Sequence, residues 1–251
     1  MDKPTRNYMK TKQAGNVALW AIFLIVVIGV LVAAVMYGNN QSESTGAEIS
    51  QEETIDILAL RENDHTKGAE MGEVVIVEYS DFQCPACKSF ATVIDDILAE
   101  QGENVTFVYR HLPLRQIHPN ADLAARAAEA AGEQNAFFPM HDLLFERQSE
   151  WSNERNPRST FVSYAEELEL DIDAFAEAIN STENRTRVNN DYQDGETLLG
   201  GPQRLATPSI FVNGERVTGA ALGRLDQVVA ALVASASETT EEEEVVAEDA
   251  E

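Results

Sequence analysis

Hydrophobic and polar positions divide the chain into three regimes. In the first, Val17 to Tyr37, no charge interrupts 21 residues that include Trp20, Ile22, Phe23, Leu24, Ile25, Val26, Val27 and Ile28. As a helix this stretch is about 31 Å long, close to the roughly 30 Å of a bilayer's hydrocarbon core, and it predicts a transmembrane helix over 17–37. The competing readings are a buried soluble helix and a cleaved signal peptide. A signal peptide has a shorter apolar region, about 7–15 residues, although Ala33-Ala34-Val35 offers a weak place to cut.

The second regime alternates short β-branched runs with helical stretches. Val74 to Tyr79 (VVIVEY) reads as a buried strand and Val105 to His111 (VTFVYRH) as the next. Ser80 to Gln83 form a turn, and a helix follows from Cys84 to about Glu100. Strand, helix, strand predicts a right-handed βαβ unit. Residues 120–200 read as helical: an Ala-rich segment from Ala121 to Ala131, then Phe137 to Phe145, Phe161 to Leu168, and Ile172 to Ile179 with Asp171 as N-cap. Trp151 and the Phe137/Phe138 pair read as core. SIFV (209–212) and RVT (216–218) are short strands joined by the hairpin signal Asn213-Gly214, and Leu222 to Leu232 is a closing amphipathic helix.

The third regime is polar. Residues 38–70 read as a tether, in which Ile55, Ile57, Leu58 and Leu60 add an edge strand or short helix. From Ser237 to Glu251 eight of 15 residues are acidic, which predicts a disordered tail over 236–251. The expected organisation is therefore 1–16 cytoplasmic, 17–37 transmembrane, 38–70 linker, 71–235 folded domain with a helical insertion at about 120–200, and the acidic tail.

Charge sharpens this picture. The 251 residues carry 18 Lys plus Arg against 43 Asp plus Glu, a formal net charge of -25. Such a chain is repelled by nucleic acid, which argues against a general nucleic-acid partner. The hydrophobic fraction of 44% argues against wholesale disorder. The first 37 residues hold Lys3, Arg6, Lys10 and Lys12 against Asp2 alone, while everything after them is strongly acidic. This asymmetry orients the anchor with its N-terminus in the cytoplasm and the body outside, a single-pass protein of the cell membrane. With five lysines in all, the acid excess of the body also fits a high-salt environment.

Only two cysteines are present, Cys84 and Cys87. That excludes a disulfide scaffold and any all-cysteine metal site within one chain. Cys84-Pro85-Ala86-Cys87 follows a strand and opens a helix, so it reads as a redox motif. Helix-start N–H groups and the dipole favour a thiolate at Cys84, while Cys87 lies one turn inward. Cys84 then forms the mixed disulfide and Cys87 resolves it. His65, His111, His118 and His141 have no ligand spacing to the pair. Thr207-Pro208 enters the SIFV strand and is compatible with a cis peptide bond. Glu78 stands six residues before Cys84 in an apolar strand, and alternation leaves it on either face; buried near the pair, it would relay protons. Phe82 is read as either exposed beside the pair or locally packed. No metal or nucleotide motif is present, so no cofactor beyond the redox pair is expected.

VVIVEYSDFQCPACKSF (Val74–Phe90) resembles the active-site stretch of DsbA-like thiol-disulfide oxidoreductases, and TPSIFVNGERVTG (Thr207–Gly219) resembles that family's cis-proline loop and hairpin. DHTKG (Asp64–Gly68) is similar to the lead-in of membrane-anchored members, and RHLPL with HPNA (Arg110–Ala121) to the second strand and its exit. The resemblance spans roughly 55–235. It implies an α/β thioredoxin-like fold with an inserted helical domain, here behind one N-terminal transmembrane helix. It also implies Cys84 as nucleophile, Cys87 as resolving cysteine, Pro208 as the cis-proline after Thr207, and Glu78 as the acid beneath the site. The implied partners are unfolded exported proteins with cysteines and a quinone-linked membrane reoxidase.

The pattern departs from the best-known oxidases in three places. Ala86 stands where they carry histidine, which predicts a less oxidising pair. Thr207 before the proline leaves the direction of exchange open. Gly200–Ala206 is longer than the usual approach to the Thr-Pro. The expected function is disulfide formation in exported proteins, with an isomerase or reductase, and a membrane-anchored chaperone module, as the rivals.

Overall fold

The computed structural model describes residues 50–248. The expected cytoplasmic stretch 1–16 and transmembrane segment 17–37 lie outside the described residues. Among the described residues no helix is long and apolar enough to cross a membrane.

Helix α1 (Gln51–Leu58) opens at Ser50, whose side chain accepts the Glu53 amide. Strand β1 (His65–Gly68) follows, then β2 (Val74–Ser80), α2 (Pro85–Gln101) and β3 (Val105–His111). β2 and β3 are parallel, with Val74 beside Val105 and Glu78 beside Tyr109. They are the expected strand–helix–strand unit, and every residue of β3 is buried.

The helical block is six helices: α3 (Ala121–Gly132), α4 (Phe137–Glu146), α5 (Gln148–Trp151), α6 (Arg158–Glu167), α7 (Ile172–Ala178) and α8 (Thr182–Leu198). Asp171 caps α7 by accepting the Ala174 amide, as expected. Small residues let α3 pack closely, with Ala124, Ala127, Ala128, Ala130 and Ala131 all buried. Trp151 and Phe137 are core. β4 (Ser209–Val212) and β5 (Glu215–Val217) form the hairpin, where Asn213 and Gly214 both take positive φ. A 3-10 turn (Leu222–Arg224) leads into α9 (Leu225–Glu248).

The sheet order is β1-β3-β2-β4-β5. One face buries Val74, Ile76, Phe107, Tyr109, Ile210 and Val212 against α2, the helical block and α9. The other buries Val77, Tyr79, Val108 and Phe211 against Leu58 and Leu199. Helix α8 reaches this second face through Gly195, where a Cβ would stand 2.9 Å from Leu112 and 3.0 Å from Tyr79.

Two expectations change. β1 lies inside the stretch read as tether and pairs antiparallel with β3, His65 opposite Tyr109. HTKG is polar because it is a short edge strand, and it is held by buried charge. Arg110 and Asp64, both without exposure, pair at 2.8 Å, and Arg110 also donates to the carbonyls of Ile57 and Ala59. The second change is the tail. α9 carries the backbone through Glu248 where charge predicted disorder; glutamate is a good helix former and the helix propagates from a packed start at Leu225 and Val229.

Candidate active site

Register builds the site. β4 runs antiparallel to β2 with Tyr79 opposite Ser209. The residues just past β2 and just before β4 therefore meet, which brings Asp81–Cys84 beside Thr207-Pro208. The Thr207-Pro208 peptide bond is cis.

Cys84 is the N-cap of α2, extended at φ -76° and ψ 122°, with Pro85 at the first helical position. No side chain caps this helix. Its first amides are left for the sulfur, and those of Cys87 and Ala86 both favour the thiolate. Asp81 fixes the turn: one carboxylate oxygen accepts the Gln83 amide at 2.7 Å, and the other accepts the Leu114 amide at 2.8 Å and contacts His118 Nδ1 at 2.7 Å.

Both cysteines are free thiols; Cys84 is 8% exposed and Cys87 is fully buried. Their acidities are pushed apart. The Cys87 side chain beside the Cys84 sulfur is the largest influence lowering Cys84, to about 5. Burial opposes this shift, and the helix-start amides and the nearby Thr207 side chain, whose hydroxyl does not reach full hydrogen-bond geometry, assist it. As a thiol, Cys84 donates to the Thr207 carbonyl at 3.5 Å. Burial raises Cys87 well above the ordinary thiol range, and the Cys84 and Glu78 charges add to it.

Glu78 is 2% exposed and shares its sheet face with Val74 and Ile76, so it lies under α2. Burial raises it to about 7; the Ser80 hydroxyl works the other way, and the Cys84 charge raises it further. Ser80 and Tyr109 complete this floor. The Ser80 hydroxyl also lowers Cys87 and Tyr109, yet neither the Ser80 nor the Tyr109 oxygen reaches full hydrogen-bond geometry. Phe82 is packed rather than exposed, stacked on Tyr109 at 5.1 Å and 4.9 Å from Phe145. Pro85 and Ala86 are exposed on the outer rim. Beside the rim runs a groove of about 640 Å³ between α2 and the start of α9, lined by Phe90, Val93 and Leu222 with Asp96, Glu100 and Asp226.

The structure thus brings together Cys84, Cys87, Glu78, Thr207, Pro208, Pro85, Ala86 and Phe82. Sequence reasoning passed over Asp81, Gln83, Asn120 and Gln148, which hold the turn through backbone hydrogen bonds. It also passed over Glu129, which gathers His65 Nε2 at 3.0 Å and His111 Nε2 at 2.7 Å. Burial raises Glu129, but the two histidines overcome this and hold it below the usual carboxylate range. Among the described residues no group of three or more His, Cys, Asp or Glu is placed to hold a metal ion.

A family model described as thioredoxin matches residues 60–232. A thioredoxin-like oxidoreductase from Silicibacter pomeroyi DSS-3 is similar at 27% identity and a TM-score of 0.54, covering 65% of this chain and 88% of that one. The Wolbachia pipientis alpha-DsbA1 structure shares the fold at a TM-score of 0.62 with 20% identity, over 74% of this chain and 99% of that one. Among curated relatives, Na(+)/H(+) antiporter NhaA 1 of Salinispora arenicola is 40% identical over 158 residues, 63% of this chain and 23% of the antiporter. The chain spans about a quarter of the length of the curated relatives it matches.

Proposed function

The chain belongs to the thioredoxin family, at the level of a thiol-disulfide oxidoreductase, and from that premise we propose that it forms disulfides in exported proteins from the outer side of a cell membrane. The observation that carries this reading is the divergence of the two thiols: Cys84 lowered to about 5 at the helix start beside Thr207-Pro208, Cys87 buried and raised.

A client thiolate attacks the Cys84 sulfur of the Cys84–Cys87 disulfide. The S–S bond breaks, its electron pair leaves on Cys87, and Cys87 takes up a proton. Glu78, protonated below about pH 7, is the donor at hand. A second client thiolate then attacks the client sulfur of the mixed disulfide and expels Cys84 as a thiolate, a good leaving group because it is stabilised. In the reverse direction Cys87 attacks Cys84 and resolves the mixed disulfide. Thr207 and Pro208 flank the attacked sulfur, Pro85, Ala86 and Phe82 shape its turn, and the apolar part of the neighbouring groove receives an unfolded client segment. The resulting dithiol returns its two electrons to a membrane partner that passes them to a quinone. The apolar run 17–37, with its N-terminus in the cytoplasm, tethers the domain near that partner.

Thiol trapping in intact cells tests the direction. Cys84 and Cys87 found mostly oxidised support the oxidase; mostly reduced, they make the protein an isomerase or reductase fed by a membrane donor. A Cys84→Ser variant that keeps full function would instead identify a client-binding module.

A further inference from the structure

Gln148, at the start of α5 in the helical insertion, is 6% exposed. Its amide nitrogen donates to the carbonyl oxygens of Phe82 at 2.8 Å and of Cys84 at 3.0 Å. Both of its N–H bonds thus end on the turn that presents the attacking sulfur. The Cys84 carbonyl already accepts the Lys88 amide at 3.2 Å, the first bond of α2, so Gln148 fills its second lone pair. A second link joins the same two segments. Gln83 donates to the Ser152 carbonyl at 2.7 Å and accepts the Asn120 amide at 2.8 Å. The insertion holds Phe82 and Cys84 at their backbone and Gln83 by its side chain, where no side-chain cap does so.

A carbonyl oxygen is the negative end of its dipole. Without Gln148 the Phe82 oxygen loses its donor and the Cys84 oxygen keeps Lys88 alone; a carbonyl short of donors in a water-poor turn repels a thiolate on the same turn and disfavours the geometry that aims it. We propose that Gln148 is a positioning residue for Cys84, acting from the helical insertion through the carbonyl oxygens of Phe82 and Cys84. The proposal rests on the reading of Cys84 as the attacking sulfur. It adds a role for the insertion: the insertion sets the reactivity of the pair as well as covering the sheet. The titratable groups around the sulfur are Cys87 on α2, Glu78 and Tyr109 on the strands beneath, and the Asp81–His118 pair of the turn, and Gln148 touches none of their side chains through a hydrogen bond.

The test is the pH profile of iodoacetamide labelling in the reduced full chain, with the labelled sulfur assigned by mass. Gln148→Met keeps the volume and removes both donors; Cys84 labelling at a pH of about 4.5 falls about tenfold, the equivalent of one pH unit. Gln148→Lys restores donors and adds charge, and labelling at that pH rises above that of the unaltered chain. Asn184→Ala, which removes a buried amide elsewhere in the insertion, destabilises the domain and leaves the profile in place. A Gln148→Met profile that superimposes on the unaltered one, or moves no further than that of Asn184→Ala, overturns the proposal. Should Gln148→Met not fold, a Gln148→Lys profile that is unmoved or moved to higher pH overturns it equally. If Cys84 is not the sulfur labelled first in the unaltered chain, the functional reading itself has failed.

Discussion

The Cys84 sulfur lies 3.5 Å from the carbonyl oxygen of Thr207, which stands 123 residues further along the chain. The contact follows from the β2–β4 register, in which Tyr79 faces Ser209. Everything between, including β3 and the six helices, is an excursion that returns to the same sulfur. On the proposed reading a client thiol meets Cys84 before Cys87, because Cys87 is fully covered.

Single-cysteine variants should therefore differ sharply. Cys87→Ala leaves the attacking sulfur without its resolving partner and should accumulate mixed disulfides with client proteins, visible on non-reducing gels and reversed by a thiol. Cys84→Ala should give none, and client disulfide formation should fall to background in both. Equal trapping through Cys87 in the Cys84→Ala chain would contradict the assignment.

Glu78 makes stability depend on pH in a direction opposite to most carboxylates. Its folded pKa, about 7, is above the ordinary 4.5. Between those values the folded state binds the proton and the unfolded state does not, so stability falls as pH rises and the loss is complete above about 7. Glu78→Gln removes the penalty. It should stabilise the reduced protein at pH 8 by roughly 3 kcal/mol and bring little change below about pH 4.5. Urea unfolding at the two pH values checks this; a variant less stable at pH 8 would show that Glu78 is not buried as an acid.

How much of this was legible in sequence depended on contrast between neighbouring residues. VVIVEY and VTFVYRH declared strands because the runs are β-branched and short. The same runs hid the facing of Glu78, since a strand buried on both sides has no polar face to set the phase. β1 escapes sequence reading because His65–Gly68 is an edge strand without apolar alternation, held by Arg110 and Glu129 from distant segments through His65 and the adjoining Asp64. Gln148, Asn120 and Gln83 resemble surface amides in sequence, and only their hydrogen bonds to backbone set them apart. The CxxC and Thr-Pro were legible because both place rare chemistry at a strand end.

The buried pair beneath β1 should be a point of fragility. Burial lowers the Arg110 pKa, but Asp64 and Tyr79 reverse this and hold it above the ordinary guanidinium value. Asp64→Leu strands a buried cation and should cost roughly 3–5 kcal/mol. Replacing both partners, Arg110→Met with Asp64→Leu, should cost less than the two single changes together, because neither leaves a lone charge. A double-mutant cycle by chemical denaturation measures the difference; strict additivity would mean that the pair is not coupled.

Ala86 sets the last expectation, the redox potential. Its backbone amide already favours the Cys84 thiolate, but its side chain is a methyl group where the strongest oxidases carry an imidazole. Stabilising the thiolate stabilises the dithiol, and that makes the disulfide a stronger oxidant. A pair with Cys84 at about 5 should be less oxidising than DsbA, whose nucleophile lies near 3.5 and whose potential is about -120 mV. Ala86→His places a ring that is cationic at mildly acidic pH at the start of α2 and should move the potential upward by about 30 mV, a tenfold change in the glutathione equilibrium. Equilibration with glutathione buffers reads both values. An unaltered potential at or above about -120 mV, or an Ala86→His variant that leaves it in place, would show that the residue between the cysteines does not govern the strength of this pair.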